Sequence, residues 1–451
     1  MTENKEVFRI GTGAGFSADR LDSAVELVEH GDLDAIVFEC VGERTLAFGH
    51  RDRMADANAG YNKLLPQRMR AMLPLIRRHG TCLITNMGVA NPAAAAARTA
   101  EIARDLGLAG LKIAWIEGDD VTPSITPDTA LPEFGGRVRD VGRPMVGANA
   151  YIGADALLPA LADGADVIIA GRIADPSLFL APLRHAFGWA EDDWPVLGAG
   201  TLVGHLMECG TQITGGYFAD PGLKDMPNLA FVGMPIAEVG ADGGATITKL
   251  ERAGGCVTAA TVKEQMLYEV HDPAAYMTPD VTADFTGVEI SDDDRDRVAV
   301  VGAGGRARPQ LLKVTVAFDG GFLAEGEVSY AGPGAAARSR LAGEIVETRM
   351  REVHGRQEPL RTDLIGLNAL HGSLDRPDAD GDGSTDVRLR AAMRTTDREA
   401  AEMLLWEVES LLCDGPAGGG GFRGRIDPSV TTHSAFLPRD AVPTRTDAIV
   451  V

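Results

Sequence analysis

Residues 7–20 read VFRIGTGAGFSADR, an apolar run that stops at Gly11 and gives way to a helix expected after Ser17. Glycines at 11, 13 and 15 carry no Cβ to hold backbone away from a bound group, and the N–H groups of a helix start favour negative charge. Gly11, Gly13, Gly15, Phe16 and Ser17 are therefore candidate ligand-binding residues. The spacing departs from the dinucleotide fingerprint G-x-G-x-x-G, because Phe16 stands where the third glycine belongs. A tight strand-to-helix turn that binds nothing is the alternative reading.

Beyond this stretch, short apolar strands are expected at 7–10, 34–39, 81–86, 111–117, 144–149 and 165–170, alternating with helical patterns. Such alternation predicts an α/β fold, with a Rossmann-like parallel sheet and helices on both faces. Ser17 is the expected cap of the first helix, and Asn91 with Pro92 opens the alanine-rich helix 92–106. Open parallel sheets bind ligands at the carboxyl ends of their strands. That edge would receive Glu39 to Arg44, Asn86 and Gly88, Glu117 to Asp120, Asn149 with Tyr151, and Gly171 to Asp175.

After Gly240 the pattern changes. Strands are expected at 245–250, 256–262, 286–290, 297–302, 311–318, 323–330, 360–368 and 386–394, with helices at 334–353 and 397–414. This order suits an α+β layer, so the expected domains are 1–240 and 241–451. The tail AGGGGFRGRIDPSV reads as a flexible loop in which Arg423 and Arg425 could grip an anion.

The formal charge of -22, from 43 basic and 65 acidic residues, repels nucleic acid and anionic membrane surfaces. Aromatics, at 5%, are too few for extended base-stacking platforms. Five cysteines, widely spaced and without a C-x-x-C pair, suit a reducing compartment and argue against a disulfide frame or structural zinc. No run approaches the roughly 18 apolar residues of a membrane span, and the start carries no signal-peptide core. The expectation is a cytoplasmic protein.

Four clusters could carry chemistry. FECVGERT, 38–45, puts Glu39 at a strand end as a candidate general base, with Arg44 to tune it or hold a carboxylate. EGDDV, 117–121, offers Asp120 as acid or base, or a carboxylate site for Mg²⁺. GRIADPS and GHLMECG bring Arg172, Asp175, His205 and Glu208; on a helix, His205, Glu208 and Cys209 share one face, but a metal there would need a fourth ligand. In KEQMLYEVHDP, 263–273, Glu264, Tyr268 and His271 recur at near-helical spacing and could close over a ligand. DADGDGSTD, 378–386, opens like a Ca²⁺ loop but has Leu389 where the closing Glu belongs, so it reads as an acidic hairpin loop. No metal and no required cofactor is assigned.

The segments GTGAGFSADRLDSAVEL, GDLDAIVFECVGERT, TNMGVANPAAAAARTAEIARDLGL, EGDDV, ANAYIGADALLPAL, GADVIIAGRIADPSL, GHLMECGTQITGGYF and KEQMLYEVHDPAAYMTPDV, in this order, resemble the AtuA-type acyclic terpene utilisation family. The resemblance implies a bacterial cytoplasmic protein of citronellol- and geraniol-like acid catabolism, which handles branched acyl-CoA thioesters. Related chains often carry, or are accompanied by, a small ferredoxin-like domain whose pattern this chain lacks, so a small companion subunit is one expected partner; a homo-oligomer is another.

The expected function is a lyase or hydratase acting by acid/base chemistry on an acyl-CoA or carboxylate, since the edge offers carboxylates, a histidine and arginines but no nucleophile-elbow serine. Two alternatives stay open at this point: an NAD(P)-dependent oxidoreductase, and a non-catalytic subunit that acts only with its small partner.

Overall fold

The computed structural model describes residues 6–370 and 386–451. Residues 378–385 of the expected acidic loop lie outside the described residues. Two compact units emerge: Met1–Gly142, Val146–Ala317 and Thr432–Val451 form one, Arg143–Met145 and Phe318–Thr431 the other. The expected division at residue 240 does not coincide with this partition, because strands after it return to the first sheet.

That sheet has ten strands, and β1 (Val7–Ala14) lies at its centre. β1 pairs in parallel with β2 (Ala35–Phe38), β2 with β3 (Cys82–Thr85), β3 with Val167–Ile169, and that strand with β4 (Lys112–Glu117). The sheet is mixed rather than purely parallel. On the far side of β1 run Pro235–Gly240, Ala245–Lys249, Arg297–Val301 and Glu289–Asp294, each antiparallel to its neighbour, and Arg445–Val450 closes the other edge antiparallel to β4. The strand expected at 144–149 forms as Met145–Ala150 but pairs with the strand that starts at Leu311, outside this sheet.

The parallel strands are buried on both faces, as their unbroken apolar runs require. Ile36, Phe38, Leu83, Ile113, Val167 and Ile169 share one cluster with α1 (Asp22–His30), α2 aside, and with α3 (Leu65–His79) and α4 (Pro92–Asp105); α2 is Glu43–Ala55. The alternate residues Val37, Ile84 and Ile168 are equally buried on the opposite side. There α6 (Asp175–Phe187) packs on β1 and β2 and α7 (Trp194–Glu208) on β1, while the short α5 (Leu158–Ala162) precedes the strand Val167–Ile169. Asn91 caps α4 as expected, accepting from Ala94 N at 3.3 Å. Ser17 caps nothing: α1 starts only at Asp22, after Leu21.

Strand β1 continues through the glycines expected to form a loop. A Cβ at Gly11 would meet Leu27 and Leu33, and one at Gly13 would overlap the Phe38 ring. These two glycines admit neighbouring side chains to the strand, which is close packing rather than an open cradle. Residues 256–262 hold no strand. Thr258 caps a helix, α8 (Ala259–Leu267), by accepting from Thr261 N at 3.2 Å, a local signal stronger than the β-branched run around it.

A second sheet has the order Leu360–Ile365, Asp386–Thr395, Leu311–Ala331 and Gly420–Pro438, of which the residues within Phe318–Thr431 belong to the second unit. Helices Ala335–Thr348 and Arg398–Asp414 bury Val346, Leu404 and Val408 in one cluster with Ala324, Val328 and Leu389 of the sheet. The strands expected at 311–318 and 323–330 are one continuous strand, because Gly320 lets the Ser429 backbone approach instead of making a turn. The glycine-rich tail, expected as a loop, is a strand from Gly420, and Arg425 Nε donates to Glu325 at 2.6 Å. Among the described residues no helix is long and apolar enough to cross a membrane.

Candidate active site

The strand ends of the first unit converge on Glu39, the residue after β2. Asn86, just past β3, donates through Nδ2 to Glu39 Oε1 at 2.9 Å and accepts from Cys40 N at 2.7 Å. Val41 N donates to the same Glu39 oxygen at 2.8 Å. One strand end therefore fixes the acid of the next. The loop after Val167–Ile169 supplies Arg172, which is 1% exposed and donates to Val41 O and to Asp175 at the start of α6. The ring of Tyr151 lies under its guanidinium, 4.2 Å from the Cζ.

Behind Arg172 stands Asp119, buried at the end of β4. It accepts from Arg172 N at 2.8 Å and from Asn149 Nδ2 at 2.7 Å. Gly171 makes room for it, since a Cβ there would overlap the Asp119 carboxylate. Asn149 Oδ1 in turn bonds His50 Nε2.

The last turn of α7 brings His205 and Glu208. His205 Nε2 lies 3.2 Å from Met266 O, which can only accept, so that nitrogen carries a proton. Its Nδ1 lies 3.1 Å from Glu208 Oε1. The pair thus holds one proton between Nδ1 and the carboxylate, either as neutral imidazole with carboxylic acid or as imidazolium with carboxylate. Glu208 Oε2 is buried without a hydrogen-bond partner.

Glu39, Asp175 and Glu208 line a cavity of about 350 Å³, together with Gly15, Phe16, Cys209 and Tyr268. A second cavity, of about 610 Å³, is lined by Tyr151, Pro176, Tyr276, Met277, Leu311, Leu312, Lys313 and Phe436. Asp175 lines both. One chamber is thus walled by acids, the other largely by apolar side chains.

Burial, ahead of charge, decides the protonation of the acids. Burial, then the neighbouring charge of Asp175, push Glu39 up to about 8 against the opposing pull of Arg172 and the bonds from Asn86 and Val41. Burial pushes Glu208 up to about 7 although His205 opposes it. Asp175 is raised by burial too, with Arg172 bonded to it and opposing the shift. Burial would lower His205, but the bond to Glu208 outweighs it and the imidazole is raised. A single buried guanidinium faces these three carboxyls, so they do not all ionise together near neutrality.

Of the residues singled out in the sequence, Glu39, Asp175, Glu208, Gly15 and Phe16 line the cavity, and Arg172, His205 and Asn86 stand directly behind it. Asn149 bonds Asp119 one layer further back. Others lie elsewhere. Asp120 pairs with Arg53 at 2.6 Å, and Arg44 is exposed on α2 with its guanidinium 5.4 Å from the Phe48 ring centre. Gly11 and Gly13 lie within β1, Gly88 donates to Ala170 O at 3.0 Å in close packing, and the Ser17 carbonyl accepts from Asn62.

Tyr268 lines the acid cavity and His271 the apolar one, whereas Glu264 bonds Lys224. Sequence reasoning passed over Asp119 and Tyr276. The first had a signal, since two adjacent acids after a strand point to opposite sides. The carboxylates of EGDDV diverge accordingly: Glu117 bonds Arg445, Asp119 faces inward and Asp120 faces Arg53. Among the described residues no group of three or more His, Cys, Asp or Glu is placed to hold a metal ion.

No curated protein and no solved structure matches this chain. A family model does, from residue 8 to residue 448, almost end to end. On that match the chain belongs to the family described as acyclic terpene utilisation family protein AtuA.

Proposed function

We propose that this protein is an enzyme of acyclic terpene utilisation, a lyase or hydratase that moves protons on a branched carboxylic acid carried as its CoA thioester. The observation that carries the reading is Asp175, shared by an acid-walled cavity and a larger apolar one. A hydrocarbon chain fits the second, and its carboxyl end then meets the acids of the first. The family description supplies the acyclic terpene context.

In the eliminating direction the carboxylate of Glu208, which lines the acid cavity, takes the proton from Cα. The C–H electrons form the double bond to Cβ. The Cβ–O bond breaks, and Glu39, which holds its proton at neutral pH, gives it to the leaving oxygen to make water. Asp175, bonded to Arg172, stands near Glu39, and its charge opposes a second negative charge there. Hydration runs the same steps backwards. Arg172 has both terminal nitrogens engaged by Val41 and Asp175, so it orders the site rather than gripping the substrate carboxylate.

The nicotinamide reading gains no support from the glycine stretch. The places a pyrophosphate would need beside Gly11, Gly13 and Gly15 are taken by Leu27, Phe38 and the Cys209 backbone.

The test is incubation of the purified protein with branched 2-enoyl and 3-hydroxyacyl thioesters of CoA in D₂O, followed by mass spectrometry. Deuterium at Cα and interconversion of the two are expected. Thioesters that neither bind nor exchange would overturn the reading.

A further inference from the structure

Between the two cavities stands a third group. Tyr276 lines the apolar chamber, and its hydroxyl lies 3.5 Å from His205 Nδ1, the nitrogen that also faces Glu208 Oε1 at 3.1 Å. Glu208 itself lines the acid cavity. Tyrosine and glutamate therefore converge on one imidazole nitrogen from the two chambers. The imidazole has no freedom to turn away: Nε2 is tied to Met266 O, the Phe285 ring stacks on it at 6.0 Å and the Tyr276 ring lies 5.1 Å from it. Tyr276 is held in turn by the short strand Tyr276–Met277, paired with Thr282–Asp284.

We propose that Tyr276 is a catalytic residue that protonates the thioester oxygen while the Glu208–His205 pair removes the proton at Cα. The proposal rests on the reading of the site given above. It begins from the ion-pair form, with carboxylate at Glu208 and a proton on each nitrogen of His205. The Cα–H bond breaks and its proton goes to the carboxylate of Glu208. The electron pair becomes the Cα=C bond of the enol, and the thioester oxygen takes the proton of the Tyr276 hydroxyl. The phenolic oxygen takes the Nδ1 proton of His205 in the same movement. One proton has left carbon and one has reached oxygen, the pair has become neutral, and Tyr276 is again a phenol.

The simultaneous refill is what the surroundings demand. Burial, then Glu208, Asp175, Cys209 and Glu269 around the ring, hold the phenol far above its ordinary range, so a free phenolate is a poor intermediate here. A hydroxyl that gives one proton as it receives another never passes through that form. The enol oxygen returns its proton along the same route when the leaving group departs.

The experiment compares Cα deuterium exchange in wild type and Tyr276→Phe, with a branched acyl thioester of CoA as the probe, alongside calorimetric binding of the same thioester. The expected result is a loss of about a hundredfold or more in kcat with KM and binding within about twofold, the usual scale for a positioned acid. Imidazole ¹⁵N spectra should show the His205 Nδ1 signal shifted in Tyr276→Phe and the Nε2 signal unmoved. Exchange at the wild-type rate in Tyr276→Phe overturns the proposal and leaves the acid/base reading standing. Absence of exchange in wild type overturns that reading, and the role of Tyr276 with it.

Discussion

Arg172 is bonded to Asp175, three residues along the chain, and not to Glu39, which takes its hydrogen bonds from Asn86 and Val41 instead. The buried guanidinium is therefore committed to one acid, while burial holds the proton on its neighbour. This asymmetry is what makes two kinds of carboxyl out of one cluster. With Glu39 to give a proton and Glu208, in the same cavity, to take one, this is the arrangement elimination and hydration require.

The retained proton has a consequence for stability. Glu39 titrates at about 8 in the folded protein against 4.5 as its ordinary value. Between those limits the folded state binds a proton that the unfolded chain has released, so stability falls as pH rises from 4.5 towards 8 and no further beyond. The slope contributed by this one group is at most about 1.4 kcal/mol per pH unit. Urea denaturation from pH 5 to 8 should show the decline, and Glu39→Gln should flatten it by that amount. An unchanged slope in the variant would mean that Glu39 is ionised in the folded protein.

For catalysis, the same acids predict a narrow optimum. The Glu208–His205 pair must have lost a proton, which Glu208 does at about 7, and Glu39 must keep one, which it does up to about 8. A bell-shaped profile of kcat/KM with limbs near these values is expected, each belonging to the coupled cluster rather than to a lone residue. Glu39→Gln should lower turnover by about a hundredfold and abolish the alkaline limb. A variant that keeps full turnover removes Glu39 from the chemistry.

The glycines of β1 make a prediction about packing. Gly13→Ala would drive a methyl group into the Phe38 ring, whereas a Cβ at Gly42, the N-cap of α2, meets nothing within 4 Å. Overpacking of this kind costs about 1–3 kcal/mol, against about 1 kcal/mol or less for alanine in place of glycine at the cap position. Denaturant midpoints of the two variants should separate accordingly. Equal midpoints would mean that Phe38 can swing aside and that β1 has room for a ligand after all.

How much of this was legible in the chain follows from where the deciding contacts lie. Strands β1 to β4 and the cap at Asn91 could be read because apolar runs and Asn-Pro act locally. Glu39, Asp175 and Glu208 could be named because each ends or starts an element at the sheet edge. The mixed sheet could not, since Pro235–Gly240 joins β1 only through contacts far apart in sequence. Gly11 and Gly13 show the same limit: absence of a Cβ looks alike whether a phosphate or a neighbouring side chain fills the space. Tyr276 had no local mark at all, because its importance depends on His205, which the fold brings to it.

Asp119 and Asp120 offer the sharpest test of that placement, since adjacent and chemically identical residues should behave oppositely. Asp119 is 3% exposed and accepts from Arg172 N and Asn149 Nδ2. Both donors meet the same oxygen, Oδ2, so removing the carboxyl leaves two buried N–H groups unsatisfied at a cost of about 1–3 kcal/mol each. The disturbance would reach Arg172 and through it Asp175, so Asp119→Ala should lower turnover as well as stability. Asp120 instead meets Arg53 across a pair whose side chains are 30% and 36% exposed, and solvent weakens such a pair to about 1 kcal/mol or less. Asp120→Ala should therefore leave turnover within a small factor of wild type. Measured side by side by urea denaturation and thioester exchange, the reverse ranking would show that the outward acid, not the inward one, supports the site.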